Sequence, residues 1–184
     1  YMLQTEADIV THEDLIDFQR LVRAVDLAAR IEVGLQGEAI AGAAHQQALG
    51  YAKERLQSRH WTKMKDPEAP QVPIVEHPDV RRMLLDSQAY TEAMRALLFR
   101  TALYMDQGHG AQGEDRDRHN AYVDVLTPVC QARASEWGVQ VALWCMQVHG
   151  GYGYTKEFPA EQYLRDSVIS TIYEGTNGIQ ALDF

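Results

Sequence analysis

The sequence predicts an all-α protein, an antiparallel four-helix bundle. Apolar residues recur at three- and four-residue spacing through most of the 184 positions, and no stretch alternates as a half-buried strand would. Four of the six prolines fall between residues 66 and 78, so the long segments on either side are almost free of helix breakers. Four helices without a strand can bury their apolar stripes only against one another.

The first segment runs from about Thr11 to Arg59. Thr11 followed by Asp14 suits a helix N-cap, and Phe18, Leu21, Val25 and Ala28 trace one stripe. Gly34, Gly37, Gly42 and Gly50, set among alanines, would each weaken an isolated helix by about 1 kcal/mol, so a neighbouring helix is expected to approach closely there. Residues 66–78 read as a loop. Pro78, at a first helical position, opens a second helix to about Gln107 with Val80, Leu84, Met94, Leu97, Leu98 and Met105 on its apolar side. Residues 108–113 end it, and the charged run 114–119 is expected as a solvated loop. A third helix starts near Asn120, is interrupted at Thr127-Pro128 and continues to His149, with Trp137, Val141, Trp144 and Val148 facing the core. Pro159 opens the fourth, 160–172.

Composition narrows the function. A hydrophobic fraction of 46% with 23% charged residues suits one soluble domain, and a net charge of −9 argues against a nucleic-acid surface. No apolar run approaches the ~20 residues of a membrane span, and Tyr1 to Glu6 carries neither a charged nor an apolar leader region. Residues 1–10 are expected to be a remnant of an upstream segment and 11–184 the bundle, an excised piece of a longer protein. Cys130 and Cys145 on one helix would stand roughly 22 Å apart, beyond disulfide reach, which suits buried reduced thiols and a cytoplasmic setting. The seven histidines show no HExxH or Cys/His spacing, so no metal site is expected.

Two short blocks carry the chemistry. Tyr173 to Gln180 places one carboxylate, Glu174, on a Gly-flanked turn that could aim an acid at a bound molecule with backbone N–H groups beside it. The same residues read equally as a capped helix end with an exposed glutamate. Gln147, Val148, His149, Gly150 and Gly151 form a diglycine turn, which also reads as a helix C-cap with Gly150 at its end. Arg165-Asp166 between the two blocks is expected as a buried ion pair tying the fourth helix to the bundle.

In order and spacing, Gln147-x-x-Gly150-Gly151-x-Gly153, then Arg165-Asp166, then Ile172-Tyr173-Glu174-Gly175-Thr176 resemble the C-terminal helical domain of acyl-CoA dehydrogenases. Tyr51-Ala52-x-Glu54-Arg55 and residues 77–84 extend the resemblance over about 28–184. Residues 176–183 are similar to the branch that includes the 3-methylmercaptopropionyl-CoA dehydrogenases. The resemblance implies an α,β-dehydrogenation of an acyl-CoA thioester. Glu174 would take the α-proton, the β-hydride would pass to FAD, and Gly175 would leave room for the thioester. It implies a substrate contact at Arg30. It implies FAD contacts at Arg55, Leu56 and Gln57 and at Gln147, Val148, His149, Gly150 and Gly151, both across a subunit boundary, and further contacts at Thr176, Asn177 and Gly178. A homo-oligomer (dimer or tetramer) and an electron-transfer flavoprotein as acceptor follow from the same resemblance. Where the family follows the arginine at 55 with Phe-Gly, this chain has Ser58-Arg59-His60-Trp61, and Arg59 is expected to share the role. The piece alone is expected to bind FAD poorly and to turn nothing over. An acyl-CoA oxidase and a catalytically silent oligomerisation or binding module share the motif and stay open. The reading expects Glu174 to border a concavity on the side of the paired glycines.

Overall fold

A computed structural model describes the backbone of residues 12–183, and the side chains of residue 19 and of residues 21–183. Residues 1–10, the Thr11–Asp14 cap and the Phe18 side chain lie outside the described residues. The helices are α1 (His12–Glu54), α2 (Pro78–Gly110), α3 (Gly113–His149), α4 (Ala160–Val168) and α5 (Thr176–Leu182), with 3₁₀ turns at Gly150–Tyr154 and Ile169–Thr171. The predicted all-α bundle is present. Consecutive long helices run antiparallel, and α4 fills the fourth place against α3 and α1.

The closest packing is between α1 and α3, which run parallel. A Cβ on Gly34 would stand 2.9 Å from the Cys130 carbonyl oxygen, one on Gly37 2.6 Å from that of Ala134, and one on Gly138 2.9 Å from that of Gly37. These helices therefore touch backbone to backbone, as expected for Gly34 and Gly37. Ala41, Ala44, Ala48 and Ala52, all fully buried, continue the seam. A Cβ on Gly42 would meet a Thr91 methyl at 3.7 Å and Arg95 Nη2 at 3.9 Å, both ordinary contacts, and one on Gly50 nothing within 4 Å. Met94, Leu98, Val141, Cys145 and Val148 fill the core, and Tyr90 packs against Trp137 and Trp144. Burial pushes the Cys145 thiol up to about 12, so it behaves as a small apolar group.

Several expectations fail for physical reasons. The first helix stops at Glu54, and Leu56–Arg59 (β1) pairs antiparallel with Gln71–Pro73 (β2). Too short to show alternation, β1 carries a bulge where Ser58 takes a left-handed φ of 59°. Leu21 and Val25 are exposed rather than a core stripe. Residues 114–119 are not a loop: α2 runs to Gly110, residues 111 and 112 connect it, and α3 begins at Gly113, its charged first turns solvated and laced by pairs such as Arg118–Asp115 at 3.0 Å. Pro128 does not interrupt α3 and is buried within it, beside Thr127, whose hydroxyl donates to the Val123 carbonyl. Arg165 and Asp166 are exposed and, among the described residues, pair within their own helix with Glu161 and Gln162, so they are not a buried pair.

Candidate functional site

The Glu174 bend sits between α4 and α5, and its backbone is unusual. Glu174, Gly175 and Thr176 take φ of 52°, 96° and 43°, three successive left-handed residues of which only one is glycine. Such a bend persists only if its surroundings fix it, and α3 does so. Fully buried Gln131 donates from Nε2 to the Glu174 carbonyl at 3.0 Å. Asn177 Nδ2 donates to the Ala132 carbonyl, and Ser135 Oγ lies 3.0 Å from Asn177 Oδ1. Tyr173 reaches α1 through a hydrogen bond to Gln36. The Glu174 side chain is exposed, and among the described residues nothing accepts from its N–H.

Arg30 anchors the other side. Its guanidinium bonds Asp26 at 3.0 Å, Asp183 at 2.5 Å and Gln180 Oε1 at 3.2 Å. Burial opposes the charge, but the two carboxylates outweigh it and raise the Arg30 pKa above its ordinary value. The expected substrate contact is thus engaged within its own chain as a tether of α5. Thr176 Oγ1 accepts from the Ile179 N–H in the first turn of α5, and Gly178 is exposed.

A second cluster forms at the far end of α3. Gly150, with φ 61°, ends the helix and donates its N–H to the Gln147 carbonyl, the cap read from the sequence. The turn's outer edge is open, for a Cβ on Gly150 or Gly151 would meet nothing within 4 Å. Gly153 is the glycine that packing demands, its Cβ position only 2.4 Å from the Met146 carbonyl oxygen. Val148 is buried, so only its main chain could contact a ligand. His149 is buried too: Nδ1 donates to the Cys145 carbonyl, Nε2 has no partner among the described residues, and the ring stacks on Tyr51 at 4.4 Å. Arg55, exposed and one turn beyond Tyr51, lies 5.5 Å over the Tyr152 ring. Two separate sequence blocks therefore meet in space. Leu56 and Gln57 lie exposed on β1 beside them. Arg59 does not join: its guanidinium donates to the carbonyls of Ala69 and Pro67 and holds its own loop.

The bend and the paired glycines do not share one concavity. Gln131, near the middle of α3, and His149, at its C-terminal end, stand about 27 Å apart along the helix, so the two clusters are separate. Sequence reasoning missed Gln131, Gln180 and Ser135, because a lone polar residue in a helix carries no sign of the loop it will hold.

Residues 27–183 match the family model described as the acyl-CoA dehydrogenase C-terminal domain. The chain belongs to the acyl-CoA dehydrogenase family. It is 42% identical over 156 residues to the 3-methylmercaptopropionyl-CoA dehydrogenase of Ruegeria pomeroyi, covering 85% of this chain and 26% of that protein. The butyryl-CoA dehydrogenase structure from Megasphaera elsdenii superimposes with a TM-score of 0.67 at 28% identity, over 85% of this chain and 35% of that one. A chain in the structure of the electron transferring flavoprotein of Acidaminococcus fermentans does so with a TM-score of 0.68 at 28% identity, over 86% and 35%. This chain spans about a quarter of the length of this and other curated relatives that it matches. Among the described residues no helix is long and apolar enough to cross a membrane, and no cluster of His, Cys, Asp and Glu suits a metal.

Proposed function

We propose that this chain serves the α,β-dehydrogenation of an acyl-CoA thioester, with Glu174 as the base that removes the α-proton and FAD as the cofactor. The observation that carries the reading is the bend itself: an exposed carboxylate on a backbone held left-handed by α3, with its own N–H unpartnered among the described residues. A thioester α-proton is weakly acidic, so a carboxylate in water is a poor base for it. The Glu174 N–H, donated to the thioester oxygen, would stabilise the enolate that develops as the proton leaves. Substrate and cofactor closing over the exposed side chain would supply the burial that brings a carboxylate toward basic strength. Gly175 keeps the far side of the bend clear of a side chain.

Arg55 and the turn at 147–151 fit a dinucleotide. A guanidinium with no carboxylate partner among the described residues lies beside an open glycine turn, a donor set suited to a pyrophosphate. When bound, FAD supplies the two-electron acceptor for the substrate β-carbon. The distance along α3 supports a homo-oligomer, dimer or tetramer, in which this end serves the cofactor of a neighbouring copy. Likeness to the Acidaminococcus fermentans chain supports an electron-transfer flavoprotein as the next acceptor.

The test is E174Q in the flavin-loaded enzyme. The rate is expected to fall by about 10³-fold or more with flavin content unchanged. An unchanged rate defeats the assignment, and hydrogen peroxide release by the unaltered enzyme identifies an oxidase instead.

A further inference from the structure

We infer that Gln131 is a positioning residue for the base, fixing the direction in which Glu174 presents its carboxylate. The inference rests on the reading of Glu174 as the proton acceptor.

Gln131 is fully buried on α3, where packing alone would favour an apolar side chain. Its Oε1 has no partner among the described residues, so the site carries an unsatisfied buried acceptor. Among the described residues its side chain makes one hydrogen bond, which caps no helix and joins no strand. It runs across 43 positions of sequence from Nε2 to the carbonyl of Glu174, at 3.0 Å. That carbonyl lies on one side of the Glu174 Cα, and the left-handed φ of 52° constrains the other. With both fixed, the Cα–Cβ bond has one direction, and so does the N–H on the same residue. Gln131 therefore sets the base and the proposed oxyanion donor through a single contact. Ser135 and Asn177 anchor the start of α5 but do not touch Glu174, which leaves Gln131 as the α3 side chain that bonds the base's own peptide.

Q131M keeps the volume and removes the donor. In the flavin-loaded enzyme it is expected to lower kcat about 10- to 100-fold, with KM and flavin content within about twofold. The deuterium isotope effect from α-deuterated acyl-CoA is expected to rise, because proton removal becomes slower relative to other steps. Amide hydrogen exchange at residues 174–176 is expected to quicken while the rest of α3 keeps its protection. Should Q131M not fold, Q131N, which is too short to reach the carbonyl, reports the same quantities. An unchanged kcat and isotope effect beside an inactive E174Q overturns the role of Gln131 and leaves the base in place. A general loss in which kcat, KM and flavin content shift together without a change in isotope effect overturns it as well. An active E174Q removes the base, and the positioning role goes with it.

Discussion

At the scale of single residues, the glycines separate into those the backbone needs and those it does not. Gly175, at φ 96°, holds a conformation that L side chains rarely adopt, and a Cβ there would lie 3.4 Å from Gln180 Nε2. G175A is therefore expected to destabilise the protein by about 1–2 kcal/mol, read as a lowered midpoint in thermal or urea unfolding. Gly50 is helical, exposed and meets nothing, so G50A is expected to raise stability by about 0.4–1 kcal/mol in the same assay. The sequence placed Gly175 in a turn and Gly50 in a helix, but it did not show that a neighbouring helix leaves Gly50 untouched. The Gly-flanked turn that carries Glu174 was legible because the block Tyr173 to Gln180 is specific, whereas the parts of Gln131 and Gln180 were not, since their meaning lies in a contact across the fold.

At the scale of elements, the seams between helices decide stability. A side chain at Gly37 would drive into the Ala134 carbonyl, so G37A is expected to cost about 1–3 kcal/mol and to lower the unfolding midpoint. On the α1–α2 seam, buried His45 donates from Nδ1 to Ser87 Oγ, which in turn donates to the Leu84 carbonyl. Burial lowers the His45 pKa below its usual 6.5, only partly offset by Glu92. The unfolded chain then binds the proton more readily, and stability is expected to fall as pH drops below about 6.5 toward the lowered folded value. H45N should flatten that part of a pH–stability curve, while an unaltered slope would place its origin elsewhere. The sequence showed the Trp137–Val148 stripe and the start of α2 at Pro78 because apolar period and proline position act locally. It could not show that Pro128 continues a helix or that residues 114–119 are helical, because a charged run looks alike in a solvated helix and a loop. Arg165-Asp166 failed likewise: pairing is written in the sequence, but the face that carries it is not.

At the scale of the molecule, α3 joins two separate clusters, with Gln131 near its midpoint beneath the Glu174 bend and His149 at its C-terminal end beneath the Arg55 turn. If each serves a different site of a symmetric assembly, two inactive variants should complement one another. E174Q mixed with R55A through dissociation and reassembly is expected to recover activity in up to about a quarter of sites, since one site of each mixed pair draws its base and its arginine from intact copies. No recovery would mean that both residues act within one copy. The parallel glycine seam has a further consequence. Because α1 meets α3 through main chain, its line is fixed without help from side chains on its outer flank such as Leu35, which stays exposed, whereas Gln36 on the same flank is held by Tyr173. Leu35 can therefore be rewritten over generations, changing what the protein accommodates there, while the bend that carries Glu174 stays tied to α1 through Gln36 and to α3 through Gln131.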